Sequence, residues 1–328
     1  MPRRRLLGFT AALALLIWVT SRLGVALHES SHLVVGGLLG AQLAGLHVPL
    51  FGDGYGDFSF PASTGATPRF LALIAGPLSH ILGGTLAVLL GRVTSRSRWT
   101  RLFLITYGAV NLLSGLQYLG SGLYYGYGDP ADAVLAYLPP CAPGPVSADT
   151  VTTAATALVI GTLAVAAYFL TRDYLAVQEL WFPARELGGR LRILLLTAVP
   201  AVAVFVGAFL LSGSQSPTFY AGGDYRWNIP VRDDLIATGI AADRRAHPGA
   251  RAADSCRRAT DDLVNGYIGD RETRQARAIG ALRSRGVRPG PAKLPLLPAS
   301  AALLGAGALL ALRGTSRTAP ERVDHDAN

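Results

Sequence analysis

Charged residues are scarce in this chain. Asp, Glu, Lys and Arg make up 16% of its 328 residues, while half of all residues are hydrophobic. A typical soluble domain is about one quarter charged, so this composition excludes an ordinary soluble globular protein. It favours an all-α polytopic membrane protein with about six membrane-spanning helices. The predicted spans are residues 6–27, 70–90, 102–125, 151–170, 193–211 and 294–312.

Cysteine is also rare, because Cys141 and Cys256 are the only two. Two thiols exclude a metal cluster built from cysteine thiolates. If both residues face the oxidising side of the membrane, they can form a disulfide bond.

Acidic residues are outnumbered by basic ones, and the net charge is +9, carried almost wholly by arginine. No aromatic residues interleave with a basic patch, so nucleic-acid binding is not expected. In a multi-pass protein arginines instead mark cytoplasmic loops. The N-terminus has three arginines and the 91–101 and 172–192 loops have four each, whereas the 41–69 loop has one and the 120–150 loop none. We therefore expect a plasma-membrane protein with both termini in the cytoplasm.

One motif in the apolar background carries chemistry. His28, Glu29 and His32 form an H-E-x-x-H pattern near the end of the first predicted span. On a helix, residues four apart share a face, so the two histidines can bind one metal ion. Glu29 can take a proton from water, as the general base of a metalloprotease does. These polar residues are costly in an apolar helix without such partners, so the motif predicts a metal site.

An H-E-x-x-H motif on a membrane helix resembles the site-2 protease family of intramembrane zinc metalloproteases. The resemblance covers about residues 5–140. It implies Zn²⁺ as the cofactor, a membrane protein as the substrate, and a membrane-associated β-hairpin after the metal helix. Residues 41–68, with glycines near their centre, fit either such a hairpin or a plain surface loop.

A catalytic zinc site needs a third protein ligand and leaves the fourth position to water. The resemblance implies an Asp from an L-D-G-type motif, and Asp129 stands at the matching place, with Pro130 where glycine is expected. Asp132 is the alternative ligand. Asp129 and Pro130 also suit the start of a helix, and that role is compatible with metal binding.

Two further polar residues lie in predicted spans. The resemblance implies that Asn111 lies near the metal, where its amide would polarise the substrate carbonyl. The alternative role for Asn111 is a hydrogen bond between helices. His80 ends the sequence Gly-Pro-Leu-Ser-His, where the family often has G-P-x-x-N. His80 is therefore either a buried histidine with its hydrogen bonds satisfied or a substitute contact near the metal.

The chain divides into five segments. Residues 1–140 are the metalloprotease-like membrane core, and residues 141–211 contain two accessory spans. Residues 212–293 are polar and long enough for a small extracytoplasmic domain, and residues 294–313 are the sixth span. Residues 314–328 form a polar tail that we expect to be disordered in the cytoplasm.

The predicted function is that of a zinc-dependent intramembrane endopeptidase acting on transmembrane or membrane-proximal segments in the lipid bilayer. His28, His32 and Asp129 would hold Zn²⁺, while Glu29 and Asn111 would act in catalysis. The alternative is a non-catalytic, metal-binding membrane scaffold whose 212–293 domain binds a partner. Glu29 favours the enzyme, because a binding site needs no general base.

The arginine asymmetry also predicts the topology. Reporter fusions after Gly91 and Arg185 should read as cytoplasmic, and fusions after Asp57 and Gly249 as external, because arginines in short loops are costly to translocate. Paired alkaline phosphatase and green fluorescent protein fusions measure this. A cytoplasmic signal at Gly249 would invert the orientation.

Overall fold

The computed structural model describes residues 3–52, 54–93, 97–141, 147–184, 186–211, 224–265, 268–290 and 305. In these residues the chain is mainly helical, with one two-stranded sheet. Its elements are α1 (Arg3–Leu38), β1 (Gln42–His47), β2 (Tyr55–Ser59), α2 (Ala66–Val93), α3 (Arg98–Tyr125), α4 (Gly128–Tyr137), α5 (Ala148–Gln178), α6 (Leu187–Leu211), α7 (Asn228–Ala246), α8 (Ala252–Val264) and α9 (Ile268–Ser284).

Within the described residues, five helices are long and apolar enough to cross a membrane: α1, α2, α3, α5 and α6. They coincide with the first five predicted spans and support a multi-pass membrane protein. The predicted sixth span, 294–312, lies outside the described residues except for Gly305.

Helix α1 extends well beyond the predicted end of the first span at residue 27. It is one continuous helix of 36 residues, which corresponds to a length of about 54 Å. The prediction underestimated it because the polar H-E-x-x-H motif interrupts the apolar run without interrupting the helix. Gly40 follows the helix with a φ of 91°, a left-handed conformation that glycine tolerates and that commonly ends helices.

The predicted β-hairpin is confirmed, since β1 and β2 pair in antiparallel orientation. Its loop folds back along α1. The indole of Trp18 donates a hydrogen bond to the Leu50 carbonyl (3.1 Å), and Arg22 donates to the carbonyl of Gly52 (2.7 Å). A Cβ atom at Gly56 would lie 2.9 Å from the Glu29 carbonyl, so this glycine lets the hairpin pack directly on the metal-motif helix.

The backbones of α2 and α3 approach each other closely at small residues, as is common in membrane bundles. A Cβ atom at Gly84 would lie 2.6 Å from the Leu112 nitrogen, and one at Gly108 would lie 2.8 Å from the Gly84 carbonyl. Helix α5 packs on α3, and α6 packs on α1. Helices α2, α3 and α6 all contact α1, the helix that carries the motif.

The C-terminal helices α7, α8 and α9 dock onto α4 and the hairpin. Arg271 of α9 forms an ion pair with Asp132 of α4 (2.6 Å), and the side chain of Asn265 bonds both backbone groups of Phe60. Cys141 and Cys256 form a disulfide with their Cα atoms 6.1 Å apart. The described part of the predicted 212–293 domain is therefore attached to the membrane core.

The disulfide should stabilise this attachment, because it links residues 115 apart in sequence. By the loop-entropy estimate, a cross-link of that span raises the free energy of unfolding by about 5 kcal/mol. We expect dithiothreitol to lower the melting temperature of the detergent-solubilised protein, measured by intrinsic fluorescence. A Cys141→Ser/Cys256→Ser variant should have a lower melting temperature than the wild type, and dithiothreitol should not change it. Equal melting temperatures for the wild type with and without reductant would contradict the bond.

Candidate metal centre

The H-E-x-x-H residues lie on the face of α1 that is buried against the bundle. His28, Glu29 and His32 are each less than 10% exposed. One potential ligand atom from each residue lies within 4.8 Å of those of the other two. The helical spacing inferred from the sequence therefore produces a compact buried group.

The connection between α3 and α4 brings Asp129 back to this group. Gly126 (φ 72°) and Gly128 (φ 65°) both adopt the left-handed conformation that other residues rarely tolerate. They reverse the chain within three residues, so the first turn of α4 faces α1. The sequence motif around Asp129 does not reveal this return, because it depends on two glycine backbone angles.

The Asp129 carboxylate meets both histidines. Its Oδ2 atom lies 3.3 Å from Nε2 of His28 and 3.1 Å from Nε2 of His32. In a tetrahedral zinc site with Zn–N and Zn–O bonds of 2.0–2.1 Å, ligand atoms are about 3.3 Å apart. Both separations match those of an imidazole nitrogen and a carboxylate oxygen bound to the same zinc-sized cation.

The orientation of His32 is fixed by a hydrogen bond on its other ring nitrogen. Nδ1 donates to the carbonyl of Ala72 on α2, at 2.7 Å. The neutral ring then carries its proton on Nδ1 and presents the lone pair of Nε2 toward Asp129. Such outer contacts commonly set the tautomer of metal-ligating histidines.

Tyr118 is a site residue that the sequence did not indicate. Its hydroxyl donates a hydrogen bond to Asp129 Oδ2 (3.0 Å) and accepts one from the Asp129 backbone N–H (3.2 Å). It lies on α3, eleven residues before Asp129, and nothing in its local sequence distinguishes it from other membrane tyrosines. Only the reversal at Gly126 and Gly128 brings the two together.

Asp132, the alternative ligand, faces away from the histidines. Its carboxylate is buried and pairs with Arg271. Burial raises the pKa of the Asp132 carboxyl, while the neighbouring Arg271 guanidinium opposes that rise. The structure thus brings Asp129 to the candidate centre and gives Asp132 a separate partner on α9.

Gly76 of α2 provides the space for the two imidazoles. A Cβ atom at this position would lie 2.5 Å from Nε2 of His28 and would also collide with Nε2 of His32. The glycine of the Gly-Pro-Leu-Ser-His sequence is therefore needed because a larger residue would collide with the two histidines. Pro77 follows inside the helix and is fully buried.

A cavity of about 380 Å³ opens onto the centre. Side chains of α1, α2, α3 and α6 line it, together with glycines of the hairpin and Asp129 at the start of α4. The cavity is large enough to admit a few residues of an extended chain. His80 and Asn111 both lie in its wall.

Asn111 forms the interhelical contact that was one of its two predicted roles. It is fully buried, and its amide nitrogen donates to the carbonyls of Thr20 (3.2 Å) and Tyr107 (2.9 Å). Both amide hydrogens are therefore engaged by backbone groups of α1 and α3. Gly24 makes room for the side chain, because a Cβ atom there would overlap the Asn111 amide oxygen.

His80 is buried next to the histidines of the candidate centre. Its ring lies 4.9 Å from that of His28, measured between centroids, and the residue is 8% exposed. Its ring interacts with backbone groups of Gly24 on α1 and Asn111 on α3, although neither contact has the full geometry of a hydrogen bond. Both predicted roles of His80 therefore stay predictions.

Comparisons with models of protein families, with curated protein sequences and with solved structures found no match to this chain. The chemistry of the centre is therefore inferred from its own donor atoms and their distances.

Because Gly76 leaves space for both imidazoles, a larger residue at this position should disturb metal binding. Gly76→Ala should weaken zinc binding about 100-fold or more, because the methyl group would displace both imidazoles. Zinc affinity can be measured by competition with a chromogenic chelator in detergent. Gly83→Ala on the same helix is the matched control, since its methyl group would mainly meet the end of the flexible Leu27 side chain, at 3.2 Å. Equal zinc affinities for the two variants would contradict the proposed ligand geometry.

Proposed function

We propose that this protein is a zinc-dependent intramembrane endopeptidase. The observation that carries the proposal is the convergence of His28, His32 and Asp129 beside a buried glutamate, at a cavity inside an apolar helical bundle. Two imidazoles and a carboxylate are the kind of ligand set that catalytic zinc sites use, and a bound cation would offset the cost of burying these polar groups.

His28, His32 and Asp129 would hold the zinc ion and leave one coordination position open. A zinc ion bound in this way lowers the pKa of water toward neutrality and polarises a peptide carbonyl. Tyr118 and the Ala72 carbonyl orient two of the three ligands through their hydrogen bonds.

Glu29 is the general base in this proposal. It follows the first histidine, lies within 4.8 Å of both imidazoles, and is buried in the cavity wall. Its carboxylate takes the proton from the attacking water and delivers it to the leaving amine. This role separates the enzyme from the scaffold alternative, in which Glu29 would have no task.

The substrate would be a membrane protein cleaved within or next to a transmembrane segment. A helical segment hides its peptide bonds in its own hydrogen bonds, so it must unwind before cleavage. Strand β1 is exposed along its length, so an unwound segment could pair with it in extended form.

The orientation in the membrane follows from the arginine distribution. Both termini would be cytoplasmic in the plasma membrane, with the hairpin, α4 and the C-terminal helices on the external side. The disulfide between Cys141 and Cys256 supports this side, because disulfides persist in oxidising compartments.

Zinc analysis and a cleavage assay test the proposal together. The protein purified in dodecyl maltoside should contain about one zinc per chain. His28→Ala/His32→Ala should lose the metal, whereas Glu29→Gln should keep it and lose cleavage of fluorescein-labelled β-casein. The matched controls are His247→Ala and Glu186→Gln, which alter exposed residues outside the cavity.

The results separate the two functions. Full zinc occupancy in the double histidine variant would overturn the metal site. Zinc-loaded wild type that cleaves no faster than Glu29→Gln would favour the non-catalytic scaffold.

A further inference from the structure

The cavity beside the candidate centre has to accommodate the main chain of a peptide as well as a metal ion. An unwound segment exposes its backbone N–H and C=O groups. In an apolar bundle each of these groups is unfavourable unless the protein supplies a hydrogen-bond partner. We therefore searched the cavity wall for polar side chains that retain hydrogen-bonding capacity.

Several polar side chains that line the cavity are already engaged within the protein. Arg22 donates to two carbonyls of the hairpin loop, and the Asn111 amide donates to carbonyls of α1 and α3. The Tyr118 hydroxyl donates to Asp129 Oδ2 and accepts from the Asp129 backbone N–H. None of these groups can turn toward a peptide without giving up a hydrogen bond.

Gln117 of α3 differs from these residues. It lines the cavity and is partly exposed, and its amide nitrogen lies 3.5 Å from Ser121 Oγ, which is the long limit of a hydrogen bond. No other hydrogen bond of this side chain occurs within the part of the chain that the structure describes. A primary amide has two N–H donors and a carbonyl acceptor, so most of the capacity of Gln117 remains available.

Ser114 lies one turn before Gln117 on the same face of α3, and it also lines the cavity. Hydroxyl side chains in the spanning helices commonly bond the carbonyl four residues earlier, as those of Thr20 and Thr85 do at 2.7 Å. The exposed Ser114 hydroxyl makes no hydrogen bond with any described residue. Ser114 and Gln117 thus form a polar stripe on α3 that faces the cavity.

This polar stripe adjoins the metal ligands. Tyr118, the residue after Gln117, bonds the Asp129 carboxylate, and His28 and Glu29 line the same cavity. An extended chain advances about 3.3–3.6 Å per residue. A segment of a few residues that lies along the polar stripe therefore also passes the candidate centre.

We propose that Gln117 binds the main chain of the substrate. Its amide N–H donates to a peptide carbonyl and its Oε1 accepts from a peptide N–H, while the Ser114 hydroxyl adds a hydrogen bond one turn away. The inference rests on the proposed peptidase function and names what the site recognises, which is an extended main chain. Val110 and Phe205 also line the cavity and suit the apolar side chains of such a segment.

The kinetics of Gln117→Leu test this role. Its KM for labelled β-casein should rise about tenfold with kcat nearly unchanged, because main-chain hydrogen bonds present in both the ground state and the transition state contribute uniform binding. Zinc content and melting temperature should stay at the wild-type level. Gln275→Leu is the matched control, since it changes a partly exposed glutamine of α9 that does not line the cavity.

Two hydroxamates measure the same contact without turnover. Both bind a metal ion, but acetohydroxamate has no peptide chain, whereas acetyl-Ala-Leu-Ala-hydroxamate carries three residues. Each is titrated into the Co²⁺-substituted protein and followed by the visible spectrum of the metal. Gln117→Leu should weaken binding of the tripeptide hydroxamate about tenfold and leave the affinities for acetohydroxamate and Co²⁺ unchanged.

The outcomes separate the inference from the proposed function. Unchanged affinity of Gln117→Leu for the tripeptide hydroxamate would overturn the inference, and so would an equal loss for both hydroxamates, which would place the effect at the metal. If the wild type binds no metal, the proposed function fails and the inference fails with it. If the wild type binds metal but does not cleave casein, the peptidase proposal fails, and the hydroxamate titrations alone decide whether Gln117 binds a peptide main chain.

Discussion

Burying polar side chains inside an apolar helical bundle is the constraint from which the arrangement of this protein follows. His28, Glu29 and His32 are buried on α1, and such groups are unfavourable there unless each finds a partner. Asp129 meets the two histidines, and the Ala72 carbonyl and the Tyr118 hydroxyl complete the contacts around them. The α3–α4 connection brings that carboxylate to the two histidines.

Glycine makes this convergence sterically feasible. Gly76 leaves space for two imidazoles, Gly24 for the Asn111 amide, and Gly56 for the hairpin against the Glu29 backbone. In a membrane bundle, small residues let helices approach closely enough for buried polar groups to meet. The geometry of the site therefore depends on these glycines as well as on the polar side chains that they accommodate.

The C-terminal helices are linked to the candidate centre through their contacts with α4. Asp132 lies one turn after Asp129 and is paired with Arg271, while Arg69 of α2 pairs with Asp261 of α8. Removing one partner of a buried ion pair leaves an uncompensated charge, which typically costs about 3–5 kcal/mol. These ion pairs therefore help to hold α4, which carries Asp129 in its first turn, and α2 against the C-terminal helices.

Composition and periodicity alone predicted much of the fold. Apolar runs predicted the five membrane-length helices, and a glycine-rich turn predicted the hairpin. Both signals are local properties of the chain. The spacing of His28, Glu29 and His32 placed three site residues on one helix for the same reason. The end of α1 was missed, since a polar motif lowers hydropathy without breaking a helix.

What the sequence by itself determined is the set of elements and the chemistry that α1 carries. Only the tertiary structure decided that Asp129 meets the histidines, that Asp132 pairs with Arg271, and that Tyr118 holds the carboxylate. It also put two buried polar residues in the cavity wall, with His80 next to His28 and Asn111 bonded between α1 and α3. The physical reason is distance along the chain: these contacts join residues from 11 to 139 positions apart, and they depend on backbone reversals and helix packing that no local pattern encodes.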